Sequence, residues 1–195
     1  DLAPENAGAF LAHIGKDVTK RELEIHLQYA LRLKSEPVLT RSSQVLSACR
    51  EFHLSLDQRR VAASALEVFS RVFPGNHFSL FVNSEHEEEV LEQIVGSTSA
   101  NSSTKIRLDG ESMLARSARE GKALTMHLNT AEDPEPRYTG QQAVYCLPLL
   151  TQGSLRGVVE VLVGSGRPLL SAEEMELASQ MAASLALALS NAKAY

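Results

Sequence analysis

The chain has 195 residues, 44% of them hydrophobic and 22% charged, with a net charge of −5. That balance excludes a disordered chain and allows one medium domain with helical extensions, large enough to bury a core without disulfides or metals. Cys49 and Cys146 form no close-spaced pair, so neither a disulfide framework nor a zinc site is indicated, and a reducing, cytoplasmic location is expected. Lys16, Lys20, Arg21, Arg32 and Lys34 are dispersed among acidic and apolar residues, which argues against direct nucleic-acid binding. No stretch approaches the roughly 20 apolar residues of a membrane span. The sequence opens on Asp1 with neither an initiator methionine nor a signal peptide, and reads as a fragment of a longer protein.

The first third reads as helix. Asp17 to Glu22 resembles an N-terminal cap, followed by Leu23, Leu27, Ala30 and Leu31 at helical spacing, and Glu36-Pro37 breaks the run. A second helix is predicted from Thr40 to Phe52, with Val45, Cys49 and Phe52 on one stripe. A third starts at Ser55 or Asp57, carries Val61, Ala62, Ala65, Leu66, Phe69, Val72 and Phe73 on a broad apolar face, and stops at Pro74-Gly75.

His77 to Asn83 is the first clear strand, with Phe78, Leu80 and Val82 on one face and Ser79 and Phe81 on the other. Glu85 to Glu92 looks helical by composition, yet Val90 to Val95 also fits a strand; both readings stay open. Gly96 to Ser103 is loop-like, and Thr104 to Asp109 alternates as a short edge strand. Glu111 to Glu120 is a short helix ended by Gly121, and Ala123 to Met126 another strand. His127 to Gln141 is the longest irregular piece, and loops of that length are often functional.

Ala143 to Leu150 and Leu155 to Val163 then form two strong strands joined by Thr151 to Ser154. Ser171 with Glu174 fits a capping box for a helix that continues to Tyr195, with Ala178, Met181, Ala182, Leu185 and Leu189 on one face. Gly157 inside a strand implies a close backbone approach or a bulge, and Pro148 an irregular or unpaired point in its strand.

Several pieces, in this order, resemble a GAF domain, a sensory fold related to the PAS domain. Leu108 to Leu124 is similar to the family's glycine, short helix and Gly-Lys/Arg-Pro-Leu ending, with Ala123 in place of the usual proline. Leu147-Pro148-Leu149, Gly153 and Gly157 to Val161 are similar to its Pro-Leu strand, turn and Gly-Val-Leu strand, and Leu170 to Leu177 with Ala186 to Tyr195 to its final helix. The resemblance covers roughly residues 40–195; residues 1–39 read as an N-terminal helical extension or linker. It implies an α+β domain with a central antiparallel sheet flanked by helices, a ligand pocket on the loop-covered face, and outer helices that pair two subunits. Family domains sit in cyclic-di-GMP synthases and hydrolases, histidine kinases, phosphodiesterases and transcription activators.

Candidate ligand-binding residues are Phe81, Arg107, Arg116, Met126, Tyr138, Tyr145 and Glu160, against the bland reading that they fill the core or lie outside it. Cys146, in an apolar strand, reads as a small buried hydrophobe rather than a chromophore attachment point or redox thiol, and Cys49 as helix packing. His127 stands alone at the start of the long loop, and no second metal ligand has a recognisable spacing. The bilin-binding cysteine–histidine motif and the cyclic-nucleotide signature of the family are not found. No cofactor is named. No constellation supports catalysis: the family's free methionine sulfoxide reductases use several cysteines around the pocket, and two distant ones depart from that pattern.

The expectation is therefore a non-catalytic regulatory module that binds a small molecule, dimerises through its terminal helices and controls a covalently linked effector domain. A ligand-free dimerisation scaffold and, less favoured, a thiol-based reductase are the alternatives.

Overall fold

The computed structural model describes residues 38–96, 104–128 and 138–193. The predicted helix over 17–36, most of the 96–103 loop and most of the long 127–141 segment lie outside the described residues. Residues Leu39–Tyr195 form one compact unit.

Among the described residues, helices α1 (Val38–Phe52) and α2 (Gln58–Val72) come first. Asp57 caps α2 by accepting from the Arg60 N–H at 2.9 Å, satisfying one of the donors that a helix start leaves open. The apolar stripe of α2 buries Val61, Ala62, Ala65, Val68 and Phe69. Phe69 stacks on Phe52 of α1 at 6.3 Å and meets Phe78 of the first strand at 5.5 Å, so one aromatic ring ties two helices to the sheet.

Six strands follow: β1 (His77–Asn83), β2 (Val90–Gly96), β3 (Lys105–Arg107), β4 (Leu124–His127), β5 (Gln141–Thr151) and β6 (Ser154–Gly164). They form one antiparallel sheet in the order β3-β2-β1-β6-β5-β4, with β3 at an edge as its short alternating sequence predicts. The strand reading of Val90 to Val95 is the correct one. Ser84 accepts from the N–H groups of His86 and Glu87, and Glu89 has φ 56°, so the acidic run forms a turn rather than a helix.

Gln152 and Gly153, with φ 50° and 78°, make the two-residue turn of the β5–β6 hairpin. Paired positive φ values match the right-handed twist of the flanking strands. Pro148 lies beyond Cys146, the last β5 residue that pairs with β4, where one edge of β5 has no ladder to lose. Gly157 is opposite Val82, and a Cβ there would come within 2.1 Å of the Phe81 carbonyl oxygen.

Between β3 and β4, helix α3 (Met113–Glu120) is capped by Ser112 and ends at Gly121, whose φ of 61° is left-handed. The last helix, α4 (Ala172–Lys193), starts with a complete capping box. The Ser171 N–H donates to the Glu174 carboxylate at 2.9 Å, and the Glu174 N–H donates to Ser171 Oγ at 3.2 Å. Ser171→Ala is expected to lower stability by about 1 kcal/mol, measurable as a shifted urea midpoint with an unchanged slope.

The sheet separates two cores. On one face, β1, β5 and β6 pack Phe78, Leu80, Tyr145, Leu147, Val159 and Val161 against α2 and α4, which contributes Ala178, Met181, Ala182, Leu185 and Leu189. On the other face, Phe81, Val144, Cys146, Val158 and Leu162 meet Leu91, Leu114 and Ala118, so α3 covers this side together with Leu108, Leu128 and Tyr138. Among the described residues no helix is long and apolar enough to cross a membrane.

Candidate functional site

Antiparallel register decides what the α3-covered face presents. Leu124, Cys146, Glu160, Ser79 and Gly96 are successive partners across β4, β5, β6, β1 and β2, and therefore share that face. One row toward the β5–β6 turn lie Pro148, Val158, Phe81 and Gln93; one row away lie Met126, Val144, Leu162 and His77. The outcome is a polar line, Glu160 and Ser79, set between rows that are apolar except for Gln93 and His77. Glu160 and Ser79 are both buried.

A carboxylate is costly to bury without hydrogen-bond partners. Tyr138, itself buried, donates its phenolic O–H to Glu160 Oε1 at 2.9 Å. This bond brings the end of the long connection between β4 and β5 onto the middle of the sheet. Gln93 joins from β2: a register shift between Leu80 and Phe81 places it opposite Phe81, and its amide folds over Gly96 beside Ser79 Oγ. Gly96 gives the amide that space, since a Cβ there would sit 2.2 Å from Gln93 Nε2. Ser117 of α3, fully buried, donates to the carbonyls of Lys122 and Cys146, fixing the helix over β5.

Of the seven residues singled out in sequence, Phe81, Met126, Tyr138 and Glu160 converge on this face. Three do not. Arg107 is on the edge strand β3, with a side chain 71% exposed and a two-point pair to Asp109 at 2.8 and 3.0 Å. The guanidinium holds the Asp109 carboxyl below its ordinary range. Arg116 lies on the outer side of α3, paired with Glu120 at 3.2 Å. A helix with Leu114, Ala115 and Ala118 buried must turn residue 116 to solvent.

Tyr145 is the most informative departure. It belongs to the opposite face, packed with α4, because its neighbours Val144 and Cys146 take the α3 side. Its hydroxyl accepts the Leu170 N–H at 3.2 Å. Burial pushes its phenol above the ordinary range; the Leu170 bond works against that, and Glu174 adds to it. Ser79 and Gln93 were missed. Ser79 was legible through period-two alternation with Phe81; Gln93 depends on the register shift, which no sequence pattern marks.

The two cysteines lie on different sides of the sheet. Cys146 is buried on the site face, while Cys49 packs half-buried with the helical core. Burial raises the Cys49 thiol pKa, opposed by a hydrogen bond with Ser184, which favours the unreactive protonated form. Among the described residues no cluster of His, Cys, Asp and Glu is suited to hold a metal ion.

The fold has many solved relatives. The GAF domain of a phosphoenolpyruvate-protein phosphotransferase (ptsP) from Coxiella burnetii is 13% identical with a TM-score of 0.69, covering 82% of this chain and 98% of that one. The GAF-B domain of DevS from Mycobacterium smegmatis is 16% identical with a TM-score of 0.58, covering 71% and 96% respectively. Free methionine-R-sulfoxide reductase from Neisseria meningitidis, solved with its substrate, is 13% identical with a TM-score of 0.66, covering 82% and 94%. At such identities the likeness establishes the fold alone. No curated protein matches the chain at a significant level. The model of the GAF domain family matches residues 55–190, and with the sheet order and layered cores described above, the chain belongs to the GAF domain family.

Proposed function

We propose that the chain is a regulatory module that binds a small molecule on the α3-covered face of its sheet and passes the bound state to a linked effector through α4. The observation that carries this reading is the buried Tyr138–Glu160 pair at 2.9 Å, set among apolar side chains. A few polar groups in an otherwise apolar site are what orient small ligands. Phe81 and Met126 supply apolar contact, and Glu160, Tyr138, Ser79 and Gln93 supply hydrogen-bonding groups. Cys146, buried, and Cys49, half-buried, fit a reading without thiol chemistry, since they lie on opposite sides of the sheet.

Thermal-shift screening of nucleotides and small metabolites tests this directly. A true ligand at a hundred times its dissociation constant is expected to stabilise the chain by about 2.7 kcal/mol. Glu160→Gln keeps the side-chain shape, and affinity is expected to fall by about tenfold or more because an amide N–H2 replaces one carboxyl oxygen. No stabilisation by any compound, or equal stabilisation of the variant, would count against this site.

A second reading is a ligand-free dimerisation scaffold. It is favoured by apolar side chains turned outward near the terminal helices: Leu46 on α1, Leu54 just beyond it, and Leu187 on α4, at 66%, 82% and 49% exposure. The two readings are compatible, and a dimer built on these helices would place both α4 output helices at one interface.

A further inference from the structure

We infer that Tyr145 is a positioning residue that couples the candidate site to the start of α4. The inference rests on the reading of that face as a binding site, and it adds the route by which the site is felt elsewhere. Consecutive side chains of strand β5 reach both ends of this route. Val144 and Cys146 belong to the site face, Cys146 next to Glu160 in the cross-strand row. Tyr145, between them, crosses to the helical face.

There its hydroxyl takes the N–H of Leu170 at 3.2 Å in a buried setting. Leu170 immediately precedes the Ser171–Glu174 capping box that opens α4. Leu170 and Ser171 are joined by one peptide bond, so the Tyr145 hydroxyl and the capping box are held to the same short stretch of backbone. The Met175 N–H, bonded to the Ser171 carbonyl at 2.9 Å, continues it into the helix.

Successive residues of a strand share a backbone. A shift of β5 that opens or closes the site face therefore moves the Tyr145 hydroxyl relative to Leu170. A buried N–H without its acceptor is costly, so the Leu170 segment either follows the strand or loosens. Two arrangements of the α4 start are thereby tied to two arrangements of the site, and a ligand that prefers one of them biases the helix. A tyrosine is suited to this because its ring is held in the core while its hydroxyl reaches the Leu170 N–H just before the helix start.

The experiment needs no ligand. Amide hydrogen exchange is followed in the full chain for wild type, Val144→Ala, Tyr145→Phe and the double variant. Phe69 serves as a reporter of global stability. Tyr145→Phe keeps the ring and is expected to speed exchange at Leu170 by about tenfold relative to that reporter. Val144 lies on the far side of the sheet from α4. Its truncation is nevertheless expected to speed exchange at Leu170, Ser171, Glu174 and Met175 by at least about threefold beyond the global shift, and to lose that effect when Tyr145 is already phenylalanine.

The proposal is overturned if Val144→Ala leaves the α4 start unchanged, or if its effect persists undiminished in the double variant. Cys146→Ser, close to isosteric, is the second site-face variant should Val144→Ala fail to fold, and it is held to the same two outcomes. Failure of the ligand screen with a positive exchange cycle would reject the binding reading and keep the coupling. The reverse pattern would reject the coupling alone.

Discussion

Gly157→Ala is expected to destabilise the chain by at least about 3 kcal/mol, at the top of the usual range for overpacking. The new methyl would lie 2.1 Å from the Phe81 carbonyl oxygen and 3.0 Å from the Val82 Cα. Both are backbone atoms of the central strand β1, paired to β6 on one side and β2 on the other, so neither can swing aside as a side chain would. The strands must separate, and Phe81 moves with them. Gly164→Ala is the matched control: its added carbon would meet only Gln141 Oε1, at 3.8 Å. That change is expected to be neutral or stabilising by up to about 1 kcal/mol through the unfolded chain. Thermal melts of both variants decide the matter; comparable losses in the two would show that glycine is needed at 157 for some reason other than strand approach.

Phe69→Ala is expected to cost about 3–5 kcal/mol, the range for emptying a large aromatic site in a packed core. Phe69 is 1% exposed and touches three other rings: Phe52 at 6.3 Å, Phe73 at 6.2 Å and Phe78 at 5.5 Å. Those partners come from α1, the end of α2 and β1, so the cavity would open where helices and sheet join. For a domain of this size the melting temperature is expected to fall by on the order of 10 °C. Phe69→Leu, which refills much of the volume, is expected to recover a large part of the loss. If Leu and Ala are equally damaging, ring stacking rather than volume governs the joint.

These sites also show where sequence reasoning carried. Gly157 and Pro148 were readable because each departs from what a strand tolerates, and such departures need a local reason. The Ser171–Glu174 box was readable because its chemistry lies within four residues and both of its bonds form as expected. The helical faces of α2 and α4 were readable from period alone, since a buried stripe recurs at helical spacing.

The candidate site was legible only in part. Alternation along β5 separates Tyr145 from Cys146 without saying which of them faces α3. Only the pairing of Cys146 with Glu160, and of Glu160 with Ser79, assigns the faces. Composition likewise misleads between Glu85 and Glu92, where helix-favouring acids sit in a turn held by Ser84 and by the positive φ of Glu89. Arg107 and Arg116 attracted notice as cations able to contact a ligand. Edge-strand position and the outward side of α3 send both to solvent, where each finds an acidic partner. Tertiary pairing, not local preference, selects the four residues that converge.

Binding on the α3-covered face, around Glu160, would distinguish a ligand-responsive module from a scaffold. Hydrogen exchange of the full chain with and without a stabilising compound from the screen tests it most directly. Added protection is expected in α3, in β5 from Val144 to Leu147 and in β6 from Val158 to Leu162, together with a change at Leu170 to Met175 where α4 begins. Protection confined to α1 and the outer side of α4 around Leu187, with the site face unchanged, would contradict binding at that face.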